Sequence, residues 1–144
     1  MSSYYIFYHS LVVLSLLLSF VAVFLGHKRY YPLLLTLLLT EAVEIIAQIA
    51  TIKQIPFVWV YHVFVMIEYS LFCLYIKMAL SKKAIKQVLS LSIPIFVVVS
   101  FSISYFFYHF RGFPGLNINI EGLLLFIFCT TLLFNLEVNE KETF

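Results

Sequence analysis

The chain is poor in charge: of 144 residues, 11% are Asp, Glu, Lys or Arg, against 63% apolar, and the mean hydropathy is +1.04. A soluble domain of this length carries about 25% charged residues, so too little polar surface is present to cover a globule in water. A net charge of +2 is too small, and too unevenly spread, for a nucleic-acid partner. Cysteine is scarce as well. Cys73 and Cys129 form no CxxC and have no third companion, which excludes a disulfide framework and a thiolate zinc site. Both read as small apolar fillers. Glycine occurs four times, small-xxx-small packing pairs are sparse, and no internal repeat argues for an inverted-repeat transporter. HExxH and Glu-x-x-His are both missing, so a metal-dependent enzyme has no helical motif to rest on. No cofactor, catalytic residue or metal ligand is expected.

What the sequence does contain is apolar runs of membrane-crossing length. About 20 residues of helix cross a hydrocarbon core of roughly 30 Å, and five stretches qualify: 5–25, 33–52, 57–77, 88–108 and 118–135. The breaks hold turn formers and charges: Gly26-His27-Lys28-Arg29, Lys53-Gln54-Ile55-Pro56, Ser81-Lys82-Lys83 and Arg111-Gly112-Phe113-Pro114-Gly115. The expected fold is therefore all-α, a polytopic transmembrane helical bundle forming one domain over residues 1–144. Its short connections make consecutive helices antiparallel neighbours.

Orientation follows from the basic residues. With the N-terminus outside, Lys28, Arg29, Lys77, Lys82, Lys83, Lys86 and Lys141 are cytoplasmic, and Lys53 and Arg111 are outside; seven against two favours N-out, C-in. Aromatics mark the same depths. Tyr4, Tyr5, Tyr8, Trp59, Tyr61, Tyr105 and Tyr108 gather at the outer ends and Tyr30, Tyr31 and Tyr75 at the inner ends, leaving Tyr69 deep. Met1–Ile6 carries no basic residue, and His27-Lys28-Arg29 stands where a signal peptide needs small cleavage-site residues, so the first span is expected to be retained.

Carboxyls at bilayer depth are costly, and they mark candidate sites. Between Leu33 and Ile52, eleven Leu, Ile or Val residues favour insertion by roughly 5 kcal/mol in sum, while two central glutamates oppose it by about 5 to 7 kcal/mol. That helix is marginal alone and needs neighbours, or a neutral carboxyl. At 100° per residue Glu41, Glu44 and Gln48 fall within about 60° of one another, a polar stripe expected to face protein. The third span offers Glu68 near mid-membrane, between Tyr61 and Tyr75, with His62 and Tyr69 on a neighbouring strip. The first has Tyr8, His9, Ser15 and Ser19, and the fifth opens with Asn117, Asn119 and Glu121. Helix direction puts His9, Glu44, Gln48, His62 and Glu121 in the outer half, and Glu41 and Glu68 near the centre. The expectation is an outward-opening polar pocket, a ligand or proton site of Glu41, Glu44, Gln48, His62, Glu68, Tyr69 and Glu121.

The competing reading is that these groups are interhelical glue, each contact contributing about 0.6 to 2 kcal/mol. Zinc or iron bound by His and Glu is disfavoured by the motif absences and by the angle of about 120° between His62 and Glu68 on their helix. Lys77, Lys82, Lys83 and Lys86 suit anionic lipid headgroups, although positive-inside topology accounts for them equally. Pro94 is a candidate kink.

The uncharged N-terminus, the acidic second span, the run His62-Val63-Phe64-Val65-Met66-Ile67-Glu68-Tyr69 and Glu121 opening the fifth span together resemble uncharacterised small multi-pass bacterial integral membrane proteins. The resemblance covers most of the chain and rests mainly on the His-x5-Glu-Tyr element. It implies a bacterial inner (cytoplasmic) membrane and no particular activity. Members often carry one or two further spans, so the resemblance implies the expectation that a chain ending at Glu140-Lys141-Glu142-Thr143-Phe144 is a shortened form. The expected role is a non-enzymatic sensor or accessory subunit, with a proton-coupled carrier component as the alternative. Expected partners are the lipid bilayer, other membrane subunits or a second copy, and a small ligand or proton.

Overall fold

The computed structural model describes residues 3–80 and 82–141, with the side chains of 3–6, 8, 29 and 135–141 left aside. Ser81 of the predicted third break, Glu142–Phe144 of the C-terminal run, and the side chains of the belt residues Tyr4, Tyr5 and Tyr8 lie outside what is described. The chain is all-α, and it divides into two compact units, Met1–Phe57 and Val58–Phe144.

The first unit is a helical hairpin of α1 (Ser3–Phe24) and α2 (Tyr31–Ile52), joined by a single 3-10 turn at Lys28–Tyr30. Gly26, at φ +87°, ends α1 in the left-handed region that a residue without Cβ adopts freely. Its N–H donates to the Val23 carbonyl at 2.9 Å and the His27 N–H to the Ala22 carbonyl at 3.1 Å, which closes the helix with a Schellman motif. Pro32 in the first turn of α2 presets the helical φ where no N–H is needed. The far end of α2 repeats the Schellman pattern, with Gln54 at φ 55° in the left-handed position. There Gln54 N–H donates to Thr51 at 3.2 Å and Ile55 N–H to Ala50 at 2.9 Å, and Pro56 bars any continuation.

The second unit is a three-helix bundle of α3 (Val58–Ala79), α4 (Lys83–Ile103) and α5 (Gly115–Lys141). Helix α3 packs against both others, while α4 and α5 touch each other less. Cys73 meets Ser92, Tyr69 meets Phe96 and His62 meets Ser104. The numbers fall on one helix as they rise on the other, so α3 and α4 are antiparallel. His62, Val65, Tyr69, Cys73 and Ile76 recur at helical spacing on the buried face of α3. Val65, Tyr69, Cys73 and Ile76 pack with Leu80, Leu89 and Phe96 into a core flanked by Ile118, Leu124, Leu125 and Phe128 of α5.

Two helix bounds differ from those read by hydropathy. The fourth helix begins at Lys83, ahead of 88, and the fifth runs from Gly115 to Lys141. Lysine and glutamate are good helix formers but not apolar, so a hydropathy window stops where the backbone does not. Helix α4 also overruns Ile103 into one π-turn segment, Ser104–Tyr108. It closes on His109 (φ 49°) and Phe110 (φ 56°), the Phe110 N–H reaching back to the Ser104 carbonyl at 3.1 Å.

Among the described residues four helices are long and apolar enough to cross a membrane: Tyr31–Ile52, Val58–Ala79, Lys83–Tyr108 and Gly115–Phe134; α1 adds a shorter apolar stretch, His9–Phe24. Only 11% of the most apolar window of Gly115–Phe134 is buried inside the protein. Exposed apolar surface on that scale is incompatible with water and matches lipid, so the chain is membrane-embedded. The hydroxyls fit that solvent. Those of Thr36, Thr40, Thr51, Ser70, Ser90, Ser102, Thr130 and Thr131 each donate to the carbonyl one turn back at 2.7–3.0 Å, which satisfies them without water.

Candidate functional site

In the hairpin unit, α1 and α2 bring His9 against Glu41. The His9 Nδ1–H faces both carboxylate oxygens, at 3.2 Å from Oε1 and 3.1 Å from Oε2, with the side chains 20% and 15% exposed. Glu44, one turn along α2 and half-buried, lies close enough to interact electrostatically with both. Gln48 follows on the same stripe, also half-buried.

In the three-helix unit the polar groups form a column between α3, α4 and α5. Its end nearest the Arg111–Pro114 turn is built on His62, which is fully buried. Nε2 lies 2.8 Å from the Gly112 carbonyl and Nδ1 lies 2.8 Å from Ser104 Oγ. A carbonyl only accepts, so the proton sits on Nε2, and in the neutral ring Nδ1 accepts from the Ser104 hydroxyl. Ser104 Oγ in turn accepts from Asn117 Nδ2 at 2.8 Å, and the second amide hydrogen goes to the Ser100 carbonyl at 3.2 Å. The order of donors is thus fixed by chemistry: Asn117 to Ser104, Ser104 to His62, His62 to Gly112. Tyr108 and Phe110 rings, at centroid distances of 5.7 and 5.3 Å, close over the imidazole. The Tyr108 hydroxyl accepts from Leu116 N–H at 3.1 Å, capping the first turn of α5.

Deeper in the column the accounting is incomplete. Glu121 lies one turn along α5 from Asn117, 5% exposed, and close enough to Glu68 and Tyr69 for electrostatic interaction. Tyr69 stacks on Phe96 at 4.1 Å and approaches Cys73 and Ser92, whose Sγ and Oγ are 3.9 Å apart. Ser100 Oγ, Asn117 Oδ1 and Glu121 Oε1 are buried with no hydrogen-bond partner. Buried polar atoms are ordinarily paired, so such a concentration calls for a reason.

The seven predicted residues thus occupy two settings: Glu41, Glu44 and Gln48 in the hairpin, and His62, Glu68, Tyr69 and Glu121 in the three-helix unit. Within the latter, Glu68, Tyr69 and Glu121 come together. His62 does not join a carboxylate; both its nitrogens serve Ser104 and Gly112. Sequence reasoning omitted Ser100, Ser104 and Asn117 from the site. The available signal was Ser100 and Ser104 one turn apart, and an asparagine opening an apolar run. Cys73 is a buried free thiol and Cys129 an exposed one. Among the described residues no group of three or more His, Cys, Asp or Glu is placed to hold a metal ion.

Comparison with protein-family models, curated proteins and solved structures finds no match. The functional argument rests on the geometry alone.

Proposed function

We propose that the chain is a non-enzymatic sensor or accessory subunit of the bacterial inner membrane, N-terminus outside, which binds a small polar ligand or partner group within the bilayer. The observation that carries this reading is the set of buried oxygens without partners, Ser100 Oγ, Asn117 Oδ1 and Glu121 Oε1, in a unit otherwise faced with hydrocarbon. Each such atom costs about 1–3 kcal/mol if nothing meets it, a cost that a binding function accounts for and packing does not. The Ser104–His62 pair has the spacing of a nucleophile and its base. Yet both are fully buried, and Ser104 Oγ already accepts an amide hydrogen, so the pair reads as a fastener, not as a catalyst.

A carrier component is the second reading, favoured by the His9–Glu41 contact with Glu44 beside it, a titratable cluster at membrane depth. Native mass spectrometry of the protein released gently from its own membranes separates these ideas from mere packing. The proposed role requires a bound molecule or partner in the parent that is lost in Glu121→Gln. A bare chain in both would sink it, and loss in Glu44→Gln alone would favour the carrier.

A further inference from the structure

We infer that His9 and Glu41 hold one exchangeable proton between α1 and α2, so that closure of the hairpin is coupled to proton binding. This proton site is independent of the polar column in the three-helix unit. It rests on the carrier reading of the hairpin and names the pair that holds the proton.

The geometry is that of a shared hydrogen. Nδ1 of His9 lies 3.2 Å from one Glu41 oxygen and 3.1 Å from the other, so its N–H is presented to the carboxyl group as a whole. The contact joins residues 32 apart in sequence, and it exists only while α1 and α2 are closed. Ten residues of α2 precede Glu41 and eleven follow it, which sets it about 15 Å from either end of a helix of membrane-crossing length. A lone charge at that depth is costly.

The charge count of the hairpin leaves the pair few alternatives. No Lys, Arg or Asp occurs in 3–24 or 31–52, and apart from tyrosines the ionisable side chains of the two helices are His9, Glu41 and Glu44. Tyr5 and Tyr8 share α1 with His9, and on α2 Glu44 is the other carboxyl close to it. His27, Lys28, Arg29 and Tyr30 stand at the opposite end of the hairpin, roughly 20 Å along α1. Imidazole with carboxylate is therefore a net-negative pair without a cation at hand. One added proton makes it neutral, and the count is the same for imidazolium facing carboxylate as for imidazole facing carboxylic acid. A lysine or arginine at position 9 would neutralise Glu41 at every pH, and a glutamine at 41 would serve packing without any charge. Histidine neutralises only while it holds the proton, a property that exchange uses and packing does not. When the proton passes to water, the only bond broken is its own N–H or O–H. The carboxylate left behind, one turn from Glu44, then draws solvation that the closed hairpin does not supply, and α1 parts from α2.

The test is the distance between spin labels at Leu11→Cys and Leu38→Cys, both exposed positions, by pulsed EPR on the full chain in nanodiscs, with Cys73→Ser and Cys129→Ser. The expected result is a narrow distance at about pH 6 that gives way, reversibly, to a longer and broader distribution at about pH 9. Glu41→Gln keeps an oxygen for His9 and has no proton to lose, so it holds the narrow distance at both. Glu44→Gln leaves the pair intact and keeps the response. An unchanged distance in the parent, a response that survives Glu41→Gln, or one lost in Glu44→Gln alone would overturn the assignment. Proton flux into proteoliposomes of the parent separates this site from the carrier reading. Flux without a distance response would overturn the His9–Glu41 coupling and leave the carrier standing, and absence of both would remove the two together.

Discussion

His62 is the residue on which the described end of the three-helix unit depends. It joins α3 to the π segment of α4 through Ser104 and to the following turn through the Gly112 carbonyl, both at 2.8 Å. His62→Ala leaves a carbonyl and a hydroxyl unpaired and opens a void under Tyr108 and Phe110. The expected cost is about 3 kcal/mol, read as a fall of roughly 10 °C in the unfolding midpoint. A change within about 2 °C would mean that the bonds contribute little in the bilayer. At this scale the sequence was partly legible. Glu41, Glu44 and Glu68 stand out because charge is rare in apolar runs, and their cost can be estimated residue by residue. Ser104 and Asn117 do not stand out, because serine and asparagine are cheap enough to pass as neutral; their importance comes from Ser104 meeting His62 and Asn117 meeting Ser104, across two helix interfaces.

Among the elements, the helix ends were the more legible part. Gly26 and Pro56 announce stops that the structure places at Phe24 and Ile52. The π segment Ser104–Tyr108 was not legible, since its SYFFY sequence carries no breaker. Its first residue, Ser104, meets His62 at 2.8 Å and the chain then turns through His109 and Phe110; single π turns of this kind are frequent at functional sites. The two Schellman ends invite comparison. Gly26 fills one left-handed position at no steric cost, whereas Gln54 fills the other at φ 55°, where a Cβ costs roughly 1 kcal/mol. Gln54→Gly should therefore raise the unfolding midpoint by about 2–4 °C, and a fall would show that the Gln54 side chain makes a contact worth more than the strain.

For the molecule as a whole, exposed leucine, isoleucine and phenylalanine along every helix are the surface that lipid covers, and the charges that remain set the orientation. The N-out, C-in reading rests on seven basic residues against two. It is checked with membrane-impermeant maleimide on intact cells, in a Cys73→Ser, Cys129→Ser background. Lys53→Cys should be labelled from outside and Lys82→Cys only after permeabilisation, both positions being exposed; the reverse pattern would invert the chain. Hydropathy is summed over many residues, which is why the all-α, membrane-embedded class can be read from one sequence. The polar column depends on a few contacts between distant segments, which is why it cannot.

The most direct measurement sets binding against packing: the unfolding midpoint of purified, ligand-free Glu121→Gln beside the parent. Glue lowers stability when removed, whereas a buried carboxyl kept for a ligand weighs on the ligand-free protein. The account predicts a Glu121→Gln midpoint equal to or above that of the parent. A fall comparable to that of His62→Ala would contradict it and make Glu121 a packing group.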